Sequence, residues 1–242
     1  MELVHGISTH FIQSKKFKTN KISIRFTAPL SLDTIAGRML SASMLETANQ
    51  KYDKSQDFRR YLASLYGTDV STNCYRRGQS HIVDLTLTYV RDEFLSRKNV
   101  LTMQVLELVK EILFSPLLLD DGFEPVLFEI EKKQLLAILA ADMDDSFYLA
   151  HKELDQLFFN DKRLQLEYKF LRDRILKETP QSSYACFQNF LANDRIDFFF
   201  LGDFNEVEVQ TLLESFHFKD RKGDVRVQYQ QPYSNILQES MV

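Results

Sequence analysis

DVSTNCYRRGQSHIVDLTLTYV, residues 69–90, is the stretch whose reading decides the fold class. Ile82, Asp84, Thr86 and Thr88 alternate with Val83, Leu85, Leu87 and Tyr89, a period of two that turns one set toward a core and the other away from it. Residues 69–75 alternate in the same way, and Arg76-Arg77-Gly78-Gln79 supplies the turn between the runs. The spacing predicts an antiparallel hairpin. Working outward, residues 6–13 and 21–26 read as strands, the second placing Ile22, Ile24 and Phe26 on one face. Residues 32–50 change to helical spacing, with Asp33 as the expected N-cap and Ile35, Met39, Leu40, Met44 and Leu45 on the apolar face. A second helix is expected over residues 55–66, stopped by Gly67. Beyond the hairpin come an amphipathic helix over 101–114 that halts before Pro116, helices over 124–141 and 146–159, and further helical stretches. A short apolar strand over 196–201 and a helix over 206–216 follow, while residues 233–242 show no element. Antiparallel strands with consecutive helices, and no regular strand-helix alternation in the middle, predict an α+β domain.

With 242 residues, of which 44% are hydrophobic, the chain is long enough to bury a large core. Thirty basic and thirty-four acidic side chains leave a net charge of −4, so the whole molecule has no attraction for nucleic acid or an anionic membrane. The densest basic clusters, Lys15, Lys16, Lys18, Lys21 and Arg25, and residues 219–226, read as solvated loops. Cys74 and Cys186 lie 112 positions apart and form no Cys-x-x-Cys pair, which predicts buried, idle thiols. The first residues carry no cationic-then-apolar leader pattern, and no later run approaches the length of a membrane helix. The expectation is a cytoplasmic protein with no membrane partner.

Ser43-Met44-Leu45-Glu46-Thr47 lies within the first helical run. On a helix Ser43, Glu46 and Thr47 project within a ~100° sector, which is the spacing a metal site uses. In an inverted zinc-peptidase motif the first and fifth positions are histidines on Zn²⁺ and the fourth is a glutamate that takes the proton of metal-bound water. Here both imidazoles are replaced by hydroxyls, which are poor zinc donors. Taken alone, Glu46 reads as an ordinary helix glutamate. The remaining histidines, His5, His10, His81, His151 and His217, sit in separate positions and do not converge, and no phosphate-binding glycine pattern exists.

The order of these pieces carries a resemblance. Strand pair, Ser43–Thr47 helix, FRRYLASLYGT at residues 58–68, hairpin, Phe114-Ser115-Pro116, FEIEKKQ at residues 128–134 and IDFFFLGD at residues 196–203 together resemble one lobe of the insulinase-type (M16) metallopeptidases. The resemblance implies an α+β lobe of the LuxS/MPP-like metallohydrolase kind, a mainly antiparallel sheet covered by helices on one face. It also implies that residues 1–242 form one lobe, the N-terminal half of a two-lobe bacterial homologue. In such a family a second glutamate on a later helix completes the zinc site. Spacing from the motif favours Glu124, Glu129 stands between, and the likeness of residues 128–134 to the ligand segment favours Glu131, which is the preferred second carboxylate; a plain charged helix face continuing through Lys132 and Lys133 accounts for it about as well. With Ser43 and Thr47 at the ligand positions and Glu46 vestigial, the resemblance implies no catalytic residue, no metal, no cofactor and no peptidase activity. It implies instead a degenerate homologue that assists an active peptidase as a partner or as a substrate-enclosing subunit. The alternatives are a zinc endopeptidase whose ligands come from another chain or are misaligned here, and an interaction adaptor without peptide handling. The implied partners are a second M16-like lobe or an active homologue, and peptide, with homo- or hetero-oligomers expected because one sheet face is left uncovered.

Overall fold

The structure is a computed structural model that describes residues 1–96 and 100–221. The expected unstructured end at 233–242, and the basic residues after Arg221, lie outside the described residues. The strands are β1 (Glu2–Val4), β2 (Ile7–Gln13), β3 (Thr19–Pro29), β4 (Asp69–Arg77), β5 (Ser80–Val90), the short pair β6 (Leu118–Leu119) and β7 (Gly122–Phe123), and β8 (Arg195–Gly202). The helices are α1 (Ile35–Leu45), α2 (Ser55–Ser64), α3 (Leu101–Phe114), α4 (Pro125–Asp142), α5 (Ser146–Phe158), α6 (Tyr168–Lys177), α7 (Pro180–Asn193) and α8 (Glu206–Glu214). Among the described residues no helix is long and apolar enough to cross a membrane.

Six strands form one sheet in the order β1-β2-β8-β3-β5-β4. Every pairing is antiparallel except β2 with β8, which brings the beginning and end of the lobe side by side. Alternation dictates the layering. Leu85, Ile24 and Phe198 stand in one cross-strand row, all fully buried, and the rows on either side repeat it with Leu87, Ile22 and Phe200 and with Val83, Phe26 and Ile196. Against this face pack α1, α3, α7 and α8, contributing Leu40, Val105, Phe187 and Leu213 among others to one continuous core. The opposite face carries polar side chains that satisfy one another. Arg25 donates twice to Asp84, each bond 2.8 Å, and Tyr75 Oη donates to the same carboxylate. One strand further on, Asp197 pairs with His10 at 2.8 Å and with Arg195 at 2.9 Å. Such a face needs no helix layer, so the helices lie on one side only.

Two buried arginines tie loops and layers together. Arg38 of α1 donates through Nε to His81 Nδ1 at 3.0 Å, pairs with Asp194 at 2.7 Å and stacks over Phe190. Arg91, just after β5, binds the carbonyls of Lys15 and Phe17 and the carboxylate of Asp203, which anchors the basic loop between β2 and β3. Several element ends differ from expectation. The first helix stops at Leu45 rather than Gln50, and its N-cap is Thr34, with Asp33 turned instead to Arg174 at 2.9 Å. The second stops at Ser64, with Gly67 at φ +73 just beyond it.

Candidate functional site

The five residues singled out by sequence span the end of α1. Ser43 sits in its last turn, Glu46 is the C-cap in helical conformation and Thr47 follows it. Both hydroxyls fold back onto their own helix: Ser43 Oγ donates to the Met39 carbonyl at 3.3 Å, and Thr47 Oγ1 donates to the Ser43 carbonyl at 2.8 Å. Such back-bonding four residues upstream is a common pattern for serine and threonine within a helix.

Of the three carboxylates left open by sequence, one reaches this end of α1. Glu131 of α4 is 8% exposed, and its Oε1 lies 3.1 Å from Thr47 Oγ1. Glu124 is instead the N-cap of α4, accepting from the backbone N–H groups of Val126 and Leu127 at 3.1 and 2.7 Å. Glu129 points to solvent and pairs with Lys132 at 3.9 Å. Helix geometry accounts for the separation, because a residue two positions from Glu131 lies on the far side of α4.

Glu46 is held by a residue that sequence reading did not single out. Its Oε2 accepts from Thr72 N at 2.5 Å and from Thr72 Oγ1 at 2.9 Å. Since β4 is the edge strand of the sheet, its outward N–H groups have no neighbouring strand, and Glu46 takes one of them. Nothing local marks Thr72, which stands 26 residues from Glu46. Only the alternation of Val70, Thr72 and Cys74, read as the inward side of β4, places it near α1.

Burial, first of all, raises the pKa of both carboxyls. For Glu46 the two bonds from Thr72 oppose the rise and Asp69 adds to it; for Glu131 the bond to Thr47 opposes it, Glu46 adds to it and Arg59 of α2 opposes it. A hydroxyl has one proton to donate. When Glu131 is ionised, it competes with the Ser43 carbonyl for the proton of Thr47. When Glu131 is protonated, it donates to Thr47 while Thr47 donates to Ser43, and both contacts are satisfied.

These groups do not fit a zinc ion. Zinc asks for three protein donors of imidazole, thiolate or carboxylate type. The arrangement offers two neutral hydroxyls turned onto backbone carbonyls, one carboxylate committed to an edge strand, and Glu131. Among the described residues no group of three or more His, Cys, Asp and Glu is placed to hold a metal ion. The thiols are no substitute: burial pushes Cys74 up to about 12 and Cys186 up to about 11, which leaves both protonated and inert.

No family model matches the chain. It is 26% identical over 211 residues to the "Probable inactive metalloprotease YmfF" of Bacillus subtilis (strain 168), which covers 87% of this chain and 50% of that protein. Among solved structures it is similar to a conserved protein from Enterococcus faecalis V583, with a TM-score of 0.89 and 30% identity over 98% of this chain and 56% of the other. It also shares the fold of a peptidase M16 inactive domain from Pseudomonas fluorescens, with a TM-score of 0.70 and 15% identity over 95% of this chain and 52% of the other. The chain spans about half the length of the relatives it matches.

Proposed function

We propose that this chain, an M16-like lobe homologous to an inactive metalloprotease, serves as a non-catalytic partner that supports or encloses peptide beside a second M16-like lobe or an active homologue. The observation that carries the reading is the closed state of the former ligand positions. Thr47 is engaged by Glu131 and the Ser43 carbonyl, and Glu46 by Thr72, so each residual polar group already has a structural partner. A water-activating metal centre needs the reverse, donors aimed at a common point. The half-length match to its relatives supports a paired lobe as the partner. Two unbridged, half-buried thiols suit the reducing cytoplasm as the setting.

Metal analysis of purified protein together with a fluorogenic peptide assay tests the first part. The expected result is no stoichiometric zinc and no cleavage; near one equivalent of zinc, with cleavage lost to a chelator, would overturn it. Affinity purification from the native host tests the second part. Recovery of an M16-type chain supports a partner role, and recovery of unrelated proteins alone favours an adaptor.

A further inference from the structure

A cavity of about 520 Å³ lies between the end of α3, α7 and residues 217–221 after α8, and Ser43, Glu46, Thr47 and Glu131 take no part in it. Its walls are apolar: Leu113 and Phe114 from α3, Tyr184, Phe187 and Leu191 from α7, and Phe218. Leu113 and Phe187 are buried, and Phe114 meets Phe218 with ring centres 5.6 Å apart. A space of this size and lining takes small organic molecules. Its charged groups are Lys219, Asp220 and Arg221. The first two are exposed at the rim, where Asp220 accepts from the His5 N–H at 3.0 Å. Arg221 is different, being 4% exposed. Its backbone N–H donates to the His5 carbonyl at 3.0 Å, and its Nη1 donates to the Ala192 carbonyl in the last turn of α7. That second contact is an ordinary use of arginine, a cation at a helix C-terminus. It leaves the rest of the guanidinium unexplained, because Nε and Nη2 are both buried and have no hydrogen-bond partner.

Nε and Nη2 form one edge of the guanidinium, the fork that a carboxylate binds with two parallel hydrogen bonds. The same chain shows the match elsewhere: Arg25 uses these two atoms on Asp84, each bond 2.8 Å. On Arg221 that edge is unpaired. The charges are unbalanced in the same sense. Arg38 and Arg221 both act on one buried carboxylate, Asp194, and Arg38 holds it at 2.7 Å. Burial lowers the pKa of Arg221 against the pull of Asp194, as expected of a cation short of a counter-ion. A buried charge without its own partner is costly, and an anion that enters beside it removes the cost. We propose that the cavity binds a small apolar monocarboxylate, an aliphatic acid whose carboxylate grips the Nε–Nη2 edge of Arg221 and whose chain lies along Leu113, Phe187 and Leu191. The walls favour this ligand over the end of a peptide, whose backbone N–H and C=O groups need partners that Leu113 and Phe187 do not offer. The site goes beyond the functional reading and does not depend on it, since a lobe of either activity would carry it.

Calorimetric titration of the purified 242-residue chain with decanoate, kept below its micelle-forming concentration, tests the proposal. One equivalent of decanoate should bind. Decanol, which keeps the chain and loses the charge, should bind at least about tenfold more weakly, and acetate, which keeps only the charge, not measurably. Arg221→Gln should weaken decanoate at least about tenfold while leaving decanol unchanged. Because that substitution also disturbs the contact with the Ala192 carbonyl, Gln188→Trp supplies a second arm. Gln188 is an exposed residue of the cavity lining, so an indole there should block decanoate with circular dichroism and the urea midpoint unchanged. Absence of decanoate binding overturns the proposal, and so do equal affinities for decanoate and decanol, or decanoate binding that survives either substitution. A leucine-ending peptide with a free carboxylate that binds more tightly than decanoate overturns the choice of ligand. None of these outcomes bears on zinc content or cleavage, which test the functional reading separately.

Discussion

Glu131 carries the clearest consequence of the site's chemistry. A carboxyl whose pKa is raised by folding holds a proton in the folded chain that the unfolded chain has already released, so stability falls as pH rises through that interval. Glu131→Gln keeps an acceptor for Thr47 and removes the charge. It is therefore expected to be more stable than wild type in urea unfolding at neutral pH, with the gap closing as pH falls toward 4.5, the ordinary glutamate value. A gap independent of pH would show that Glu131 is not held up by burial. Thr47→Val removes the hydroxyl between Glu131 and the Ser43 carbonyl and is expected to cost about 1–2 kcal/mol at neutral pH, the penalty of a buried acceptor left without its donor. How much of this was legible in sequence differs from residue to residue. Ser43, Glu46 and Thr47 stand together on the local i, i+3, i+4 spacing, and nothing longer than one helical turn is needed to group them. The likeness of residues 128–134 singles out Glu131, whereas spacing alone points to Glu124, because spacing does not show where α4 begins. With Pro125 at the first helical position, Glu124 becomes the cap.

Elements explain why the site has its present shape and how it could be reopened. Ser43→His with Thr47→His should create measurable zinc affinity, since α1 and α4 already bring Glu131 to the end of the motif. Adding Glu131→Gln should remove that affinity, whereas adding Glu124→Ala should leave it while costing about 1 kcal/mol of stability through the lost cap. Calorimetric zinc titration of the three variants decides the matter, and equal zinc losses from both additions would show that α4 does not supply the ligand. The end of β8 makes an independent prediction. Gly202 has φ +140, and a Cβ there would collide with Asn20 Oδ1, the atom that accepts from Asp203 N at 2.9 Å. Gly202→Ala is expected to cost more than about 2 kcal/mol, read as a lowered urea midpoint, because both the strained backbone and the buried Asn20 must give way. The strands were legible where alternation is strict, in β3 and β5, since one face of each is wholly core. Their partners were less so: the parallel pairing of β2 with β8 joins residues nearly two hundred apart, which no local pattern encodes. The start of α7 could have been read from Thr179-Pro180-Gln181-Ser182, a capping box with proline at the first helical position.

At the scale of the whole molecule, the layers meet at Arg38, and that junction sets the response to acid. Its guanidinium links α1 to His81 of β5, to the Phe26 carbonyl of β3 and to Asp194 where α7 gives way to β8. His81 is buried and accepts from Arg38 through Nδ1, so it must stay neutral; burial, with the adjacent guanidinium, lowers its pKa to about 3. The groups facing it across the junction are Arg38 and, beyond that, Asp194, whose own pKa burial raises against the opposing pull of Arg38 and Arg221. Below about 6.5 the unfolded chain takes up a proton at His81 that the folded chain refuses, so stability drops steadily as pH falls toward 3. Asp194, Glu46 and Glu131 act in the opposite sense, because each binds its proton more readily when folded and so offsets part of the loss at pH values above its ordinary 3.8 or 4.5. The His81 contribution steepens below 6.5 and reaches its full slope once the unfolded imidazole is fully protonated. His81→Asn keeps an acceptor near the position of Nδ1 and has nothing to protonate. Urea midpoints measured at a series of pH values should fall for wild type relative to His81→Asn between pH 6.5 and 5; parallel pH profiles for the two proteins would place the acid sensitivity of the lobe elsewhere than at the Arg38 junction.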